Sequence, residues 1–182
     1  MTPFLSETWK KDLQTAGITA WSVIDTDQIV FSEEAHSLCA ANRCGNYAKT
    51  WACPPAVGTL EECKVRVLAY RKAMVFSGVY ELEDSFDLEG MRDGHRKFRA
   101  ACEKLHNILR KPYLLLGNEG CGLCTVCTYP DAPCRFPDRM ISPVEGYGIL
   151  VYELAKSAGI SYRPRPNTVA YFGIVCFSQR ES

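Results

Sequence analysis

Four cysteines fall within one short run, Gly120-Cys121-Gly122-Leu123-Cys124-Thr125-Val126-Cys127, closed by Cys134. Thiolates at C-x-x-C-x-x-C spacing point inward round one iron–sulfur cube, and a fourth Cys from further along completes the ligand set. Zinc held tetrahedrally by the same four sulfurs is the structural alternative. Structural zinc usually takes its thiols in two separate pairs. Here three follow in consecutive steps, which suits a [4Fe-4S] cluster better. Gly120 and Gly122 are expected to let the backbone approach the cluster and to take turns that a Cβ would forbid. Pro130, Pro133 and Pro137 keep the segment irregular. Amides released from regular pairing then donate to cluster sulfurs and tune the potential.

A second group lies upstream: Cys39, Cys44 and Cys53, the last followed by Pro54 and Pro55. Asn42, Gly45 and Asn46 mark this segment as a loop. Three unrelated structural thiols would be the bland reading, but buried structural cysteines normally sit on apolar helix or strand faces. The sharper reading is a second metal centre. Four thiols saturate one cluster, whereas three leave one iron of a second without a thiolate. Cys63, His36 or a carboxylate completes that set, or the position is open and takes a substrate. The expected cofactors are one [4Fe-4S] cluster on Cys121, Cys124, Cys127 and Cys134, and a second centre on Cys39, Cys44 and Cys53.

Composition bounds the context. Ten cysteines in 182 residues are many for a chain without an export signal, and in a reducing compartment dense Cys motifs mean metal or catalysis more often than disulfides. The first residues show no cationic stretch followed by an apolar one. A cytoplasmic chain forming one domain over residues 1–182 is expected. The 21 basic and 21 acidic residues cancel, which gives no electrostatic case for nucleic acid or an anionic membrane surface. No apolar run reaches membrane-spanning length. His36, His95 and His106 are too few for a His-rich metal site. Nucleophile-elbow, P-loop and dinucleotide fingerprints do not occur.

These residues need elements to position them. Leu5, Trp9, Leu13 and Ala16 predict a helix over 4–16, stopped by Gly17. Residues 18–24 and 29–31 read as two strands joined by the polar turn Asp25-Thr26-Asp27-Gln28. Thr59 and Glu62 form a capping box for a helix running to about Arg71. Its stripe Leu60, Cys63, Val67, Tyr70 makes Cys63 either a core thiol or a fourth ligand. Residues 73–82 read as a strand. Leu88, Met91, His95, Phe98, Cys102, Leu105 and Leu109 then form one helical stripe, which puts His95 and Cys102 in the core. Residues 113–116 read as a buried strand leading into the four-Cys loop. Ser142-Pro143-Val144-Glu145 predicts a second capping box and a helix stopped by Gly159. The positive end of that helix would face an anionic cluster. Residues 168–177 read as a final strand, with Cys176 in the core. The expected fold is α/β or α+β: a single sandwich of one sheet with helices packed on it, both cysteine loops meeting at one end.

The run from Cys44 through Cys53-Pro-Pro to Cys63, together with Cys121 through Gly148, resembles the metal-binding family grouped as domain of unknown function 2284. Pro133-Cys134-Arg135-Phe136-Pro137 and Ser142-Pro-Val-Glu145-Gly-Tyr-Gly148 carry the same likeness. It covers the chain from about Cys39 to the last strand. The matching positions are Cys39, Cys44, Cys53, Cys121, Cys124, Cys127 and Cys134; Cys102 and Cys176 have no place in the pattern. The resemblance implies metal binding and brings no reaction with it.

Three roles follow. The first is a small electron carrier meeting a redox partner protein, with Arg43, Lys49 and Arg135 beside the ligands and Tyr47 and Trp51 as shields. The second is an enzyme acting on a small-molecule substrate at an open iron, with Arg135, Glu145 and Tyr147 as candidate acids, bases or orienting groups. The third is a zinc-stabilised binding module.

Overall fold

The run Ala73-Met74-Val75-Phe76 is wholly buried, which a strand achieves only when both faces of its sheet are covered. The computed structural model, which describes residues 8–118 and 120–178, shows what covers them. In chain order the elements are α1 (Trp9–Ala16), β1 (Ala20–Asp25), α2 (Glu33–Ser37), α3 (Leu60–Leu68), β2 (Lys72–Glu81), α4 (Leu88–Ile108), β3 (Tyr113–Gly117), β4 (Ser142–Pro143), α5 (Val151–Ser157) and β5 (Thr168–Phe177). The strands make one five-stranded mixed sheet ordered β1-β2-β5-β3-β4. Neighbours are antiparallel except β4, which runs parallel to β3 with Leu116 opposite Ser142. This is the α+β form of the expected sandwich.

Strand alternation divides the core. Met74 and Phe76 of β2 and Val175 and Phe177 of β5 face α1 and α4, where they meet Leu13, Phe98, Cys102 and Leu105. Ala73 and Val75 of β2 and Ile174 and Cys176 of β5 face the other way, against Cys63 and Val67 of α3 and Leu154 and Ala155 of α5. Burying a side chain such as Phe98 or Leu105 contributes about 1.5–3 kcal/mol. Among the described residues no helix is long and apolar enough to cross a membrane.

Several expected elements form as read. Gly17 ends α1 with φ 100°, in the left-handed region that suits Gly. The Thr59–Glu62 capping box opens α3, and β2, α4, β3 and β5 match their segments within a few residues. The start of the first helix, with Leu5, lies outside the described residues.

Two readings are corrected. The hairpin at 25–28 does not form. Thr26 to Gln28 make a 3₁₀ turn, Thr26 donates its amide and hydroxyl to Arg71 and Tyr70 carbonyls, and β1 pairs with β2 instead. Phe31 makes only an isolated bridge to Ile149. The capping box at 142–145 does not form either. Ser142 and Pro143 pair along β3, and the Val144 amide donates to the Gly117 carbonyl at 2.8 Å. Pro143 is tolerated because β4 is an edge strand. A 3₁₀ turn (Glu145–Tyr147) follows, closed by Gly148 at φ 70°. The helix starts only at Val151, and none of its residues walls the hollow lined by the four thiols. A sheet partner outweighs a local cap worth about 1 kcal/mol.

Candidate metal centre

β3 delivers the chain at Gly117 into the long loop that carries the four clustered thiols, and β4 takes it back. Cys121, Cys124, Cys127 and Cys134 all line one hollow, together with Trp51, Arg135 and Met140. Each of the four is half-buried. The loop is tied internally: Thr128 donates its hydroxyl to the Pro133 carbonyl at 2.9 Å, and Ala132 its amide to Thr128 at 3.0 Å. The Arg135 guanidinium donates to the Val126 carbonyl at 2.9 Å, so this cation braces the loop. Trp51 of the other cysteine segment donates its indole N–H to the Ala132 carbonyl at 3.0 Å and meets the Tyr129 ring edge-on at 5.0 Å. Burial pushes the Cys121 thiol up, while the Leu123 and Ile141 backbones pull it down, and Cys134 and Cys124 add repulsion.

Cys39, Cys44 and Cys53 line a second hollow of about 290 Å³, walled also by Tyr47, Asn118 and Glu145. Cys39 sits in a 3₁₀ turn following α2, a short helix absent from the sequence reading. Asn42, at φ 51°, ends that turn and accepts the Tyr47 amide on its side-chain oxygen at 3.0 Å. The Ala48 amide donates to the Pro54 carbonyl at 2.9 Å, which folds the segment back on itself. Cys53 is buried, and burial pushes its thiol up to about 11; the Thr50 hydroxyl opposes this, while Cys44, Cys39 and Cys121 reinforce it. Burial also raises Cys39, with further repulsion from Cys44 and Glu145.

The two hollows share a wall. A Cβ on Gly120 would stand 3.1 Å from Cys53 Sγ and 3.2 Å from Asn46 Cγ, so the four-thiol loop needs a glycine where it crosses the other segment. A Cβ on Gly122 would press on the Arg99 guanidinium at 2.5 Å. Gly122 is not among the glycines with a positive φ. Both stand where a Cβ would crowd a neighbour, and at Gly122 the expectation of a turn forbidden to other residues is corrected.

The other cysteines lie elsewhere. Cys63 is fully buried, with its Sγ 3.7 Å from the Val57 carbonyl and 3.2 Å from the Arg66 guanidinium. It packs in the core and does not wall the three-thiol hollow. Cys102 and Cys176 are core residues on opposite faces of the sheet, both with thiols raised by burial. All ten cysteines are free of disulfides. His36 directs Nδ1 at the Gly146 carbonyl at 3.0 Å.

Arg135, Glu145 and Tyr147 are not brought together. Arg135 belongs to the four-thiol hollow and Glu145 to the three-thiol one. Tyr147 is buried, with the Arg66 guanidinium 5.1 Å over its ring. It faces an open groove of about 610 Å³ that reaches Trp51, Cys134 and Met140. Arg43 and Lys49 are exposed and wall neither hollow. Asn118 was missed, because a lone Asn after a strand carries no metal signature. Glu145 was named in sequence as part of a helix start, whereas it lies in the 3₁₀ turn after β4. Among the described residues, no three His, Cys, Asp or Glu side chains meet closely enough to hold a single metal ion.

Neither a curated protein nor a solved structure matches the chain. The family described as "Predicted metal-binding protein (DUF2284)" matches residues 22–177, a span that takes in both hollows and every strand but the start of β1. The chain therefore belongs to this family of predicted metal-binding proteins.

Proposed function

We propose that the metal is iron and that the protein is an iron–sulfur redox module. Cys121, Cys124, Cys127 and Cys134 hold one [4Fe-4S] cluster, and Cys39, Cys44 and Cys53 hold a second centre. The carrying observation is that four thiols at cubane spacing wall a single hollow. Soft thiolate donors suit iron–sulfur clusters, and the Leu123 and Ile141 backbones act to lower the Cys121 thiol against the effect of burial. A bound [4Fe-4S] cluster supplies a one-electron couple whose potential follows its hydrogen bonds and exposure. The four thiols are half-buried, and Cys134 also borders the open groove. A cluster so close to the surface exchanges electrons with a docked redox partner protein, in the reducing cytoplasm that free thiols favour.

A second reading keeps the same ligands and adds catalysis at the three-thiol centre. It is favoured by the roomy hollow there, which holds a carboxylate, Glu145, and a phenol, Tyr47, beside three thiols. An iron without a thiolate in that hollow would bind a small-molecule substrate.

Metal and acid-labile sulfide analysis of protein purified without oxygen, with EPR after reduction, tests both. About eight irons and eight sulfides per chain are expected for two cubanes. Zinc without sulfide would end the redox reading and leave a zinc-stabilised module.

A further inference from the structure

We infer that Glu145 supplies the fourth, non-thiol ligand of the centre held by Cys39, Cys44 and Cys53. The inference rests on the iron–sulfur reading above and assigns a residue that spacing alone left open.

Elimination and placement both lead there. Cys63 lies in the core against Val57 and Arg66. His36 bonds the Gly146 carbonyl through Nδ1 and is not among the residues that wall the hollow; its absence from that wall is what sets it aside. Glu145 is the carboxylate among the described residues that does wall it, and its charge is felt at Cys39. The turn carrying it is clamped to both thiol-bearing segments. On one side, the Ser32 amide donates to the Gly148 carbonyl at 2.8 Å and His36 meets the Gly146 carbonyl, which ties the turn to α2 just before Cys39. A Cβ on Gly148 would stand 3.1 Å from the Ser32 carbonyl and 3.2 Å from His36 Cβ, so this contact requires Gly. On the other side, a Cβ on Gly146 would come within 3.4 Å of Pro54, the residue after Cys53. Glu145 therefore holds a fixed place relative to Cys39 and Cys53 although it comes from the far side of the four-thiol loop.

Asn118 is the rival oxygen donor. Its side-chain oxygen is buried without a hydrogen-bond partner among the described residues, and it walls the same hollow. A carboxylate is the stronger ligand because it carries the negative charge that an iron cation attracts, whereas the amide is neutral. Carboxylate oxygen is also a harder donor than thiolate. The iron it holds is therefore the one that exchanges its ligand or leaves first.

The test compares the wild-type chain with Glu145→Gln, Glu145→Cys and Asn118→Ala, all purified without oxygen, by iron content and by Mössbauer and EPR spectra. In the wild type about one iron in eight should show a distinct, oxygen-ligated Mössbauer site. Glu145→Gln should lose that site and, on mild oxidation, about one iron per chain with appearance of a three-iron signal. Glu145→Cys should keep all its iron and lose only the distinct site, which separates a ligand effect from misfolding. Two outcomes overturn the inference while leaving the cluster reading standing: a distinct site unchanged in Glu145→Gln and Glu145→Cys, or its loss in Asn118→Ala alone. A wild-type chain without iron and sulfide overturns both.

Discussion

The two thiol groups differ in how far the chain must travel to build them. The four-thiol hollow comes almost entirely from one loop between β3 and β4, braced by its own Thr128, Ala132 and Arg135 hydrogen bonds. The three-thiol hollow takes its thiols from the segment after α2, Asn118 from the end of β3 and Glu145 from the turn after β4. A ligand set contained in one loop survives small shifts of the scaffold. A set drawn from three places depends on the sheet that holds them in register. On the proposed assignment the first is therefore the sturdier centre and the second the more adjustable one.

The largest test of that contrast is Cys124→Ala. It should remove about four of the eight irons and the matching sulfide, because one missing thiolate opens the cubane to loss. The iron of the three-thiol centre should remain. Iron and sulfide assays check this, and wild-type content in the variant would show that Cys124 is not a ligand. Loss of all iron would break the separation of the two centres. Folding should weaken as well, since metal bound only by the native state adds its binding free energy to stability.

Cys176→Ser sharpens the same contrast from the core. Cys176 is fully buried in β5, and a hydroxyl there has no ready partner, so the change should cost about 1–3 kcal/mol. Denaturant unfolding should show the lower midpoint, with iron stoichiometry unchanged. A halved iron content would instead make Cys176 a ligand and redraw the site.

Alkaline pH probes the metal-free chain. Burial raises the thiols of Cys39, Cys53, Cys63, Cys102, Cys121 and Cys176. Above the ordinary thiol value of about 8.5 the unfolded chain loses these protons while the folded chain keeps them. The folded state then binds more protons, so stability is full below about pH 8.5 and falls as pH rises towards about 11, the Cys53 value. Melting curves of apo protein between pH 7 and 11 should show a fall of several degrees. A flat profile would mean that these thiols are not held protonated by the fold.

Much of this was legible in the sequence, for a physical reason. The thiol spacing, the α3 capping box and the stripe of α4 are short-range patterns, and the structure keeps them. Cys102 and Cys176 were readable as core because they repeat with apolar neighbours. The failures sit where a distant partner decides. Ser142-Pro-Val-Glu145 has every residue of a helix start, yet pairing with β3 takes it into the sheet. Residues 18–31 resemble a hairpin turning at 25–28, yet β2 claims β1. The place of Glu145 was unreadable for the same reason: Cys39, which feels its charge, and Pro54, which packs against the next residue Gly146, lie far away in sequence.

The smallest effects lie at the shared wall, where two neighbouring glycines should behave differently. Gly120→Ala puts a methyl 3.1 Å from Cys53 Sγ and 3.2 Å from Asn46 Cγ. Cys53 is a short, buried side chain that yields only through a shift of its segment, at about 1 kcal/mol. Gly122→Ala meets the guanidinium of Arg99, the far end of a long side chain. That end can swing away, so the cost should stay within about 0.5 kcal/mol. Because Gly120 touches the three-thiol segment and Gly122 does not, Gly120→Ala should also perturb the EPR signal of the Cys39 centre, while Gly122→Ala leaves it unchanged. Equal spectra in the two variants would mean that the crossing at Gly120 does not couple the loop to the second centre. The two metal sites would then be neighbours without mechanical contact.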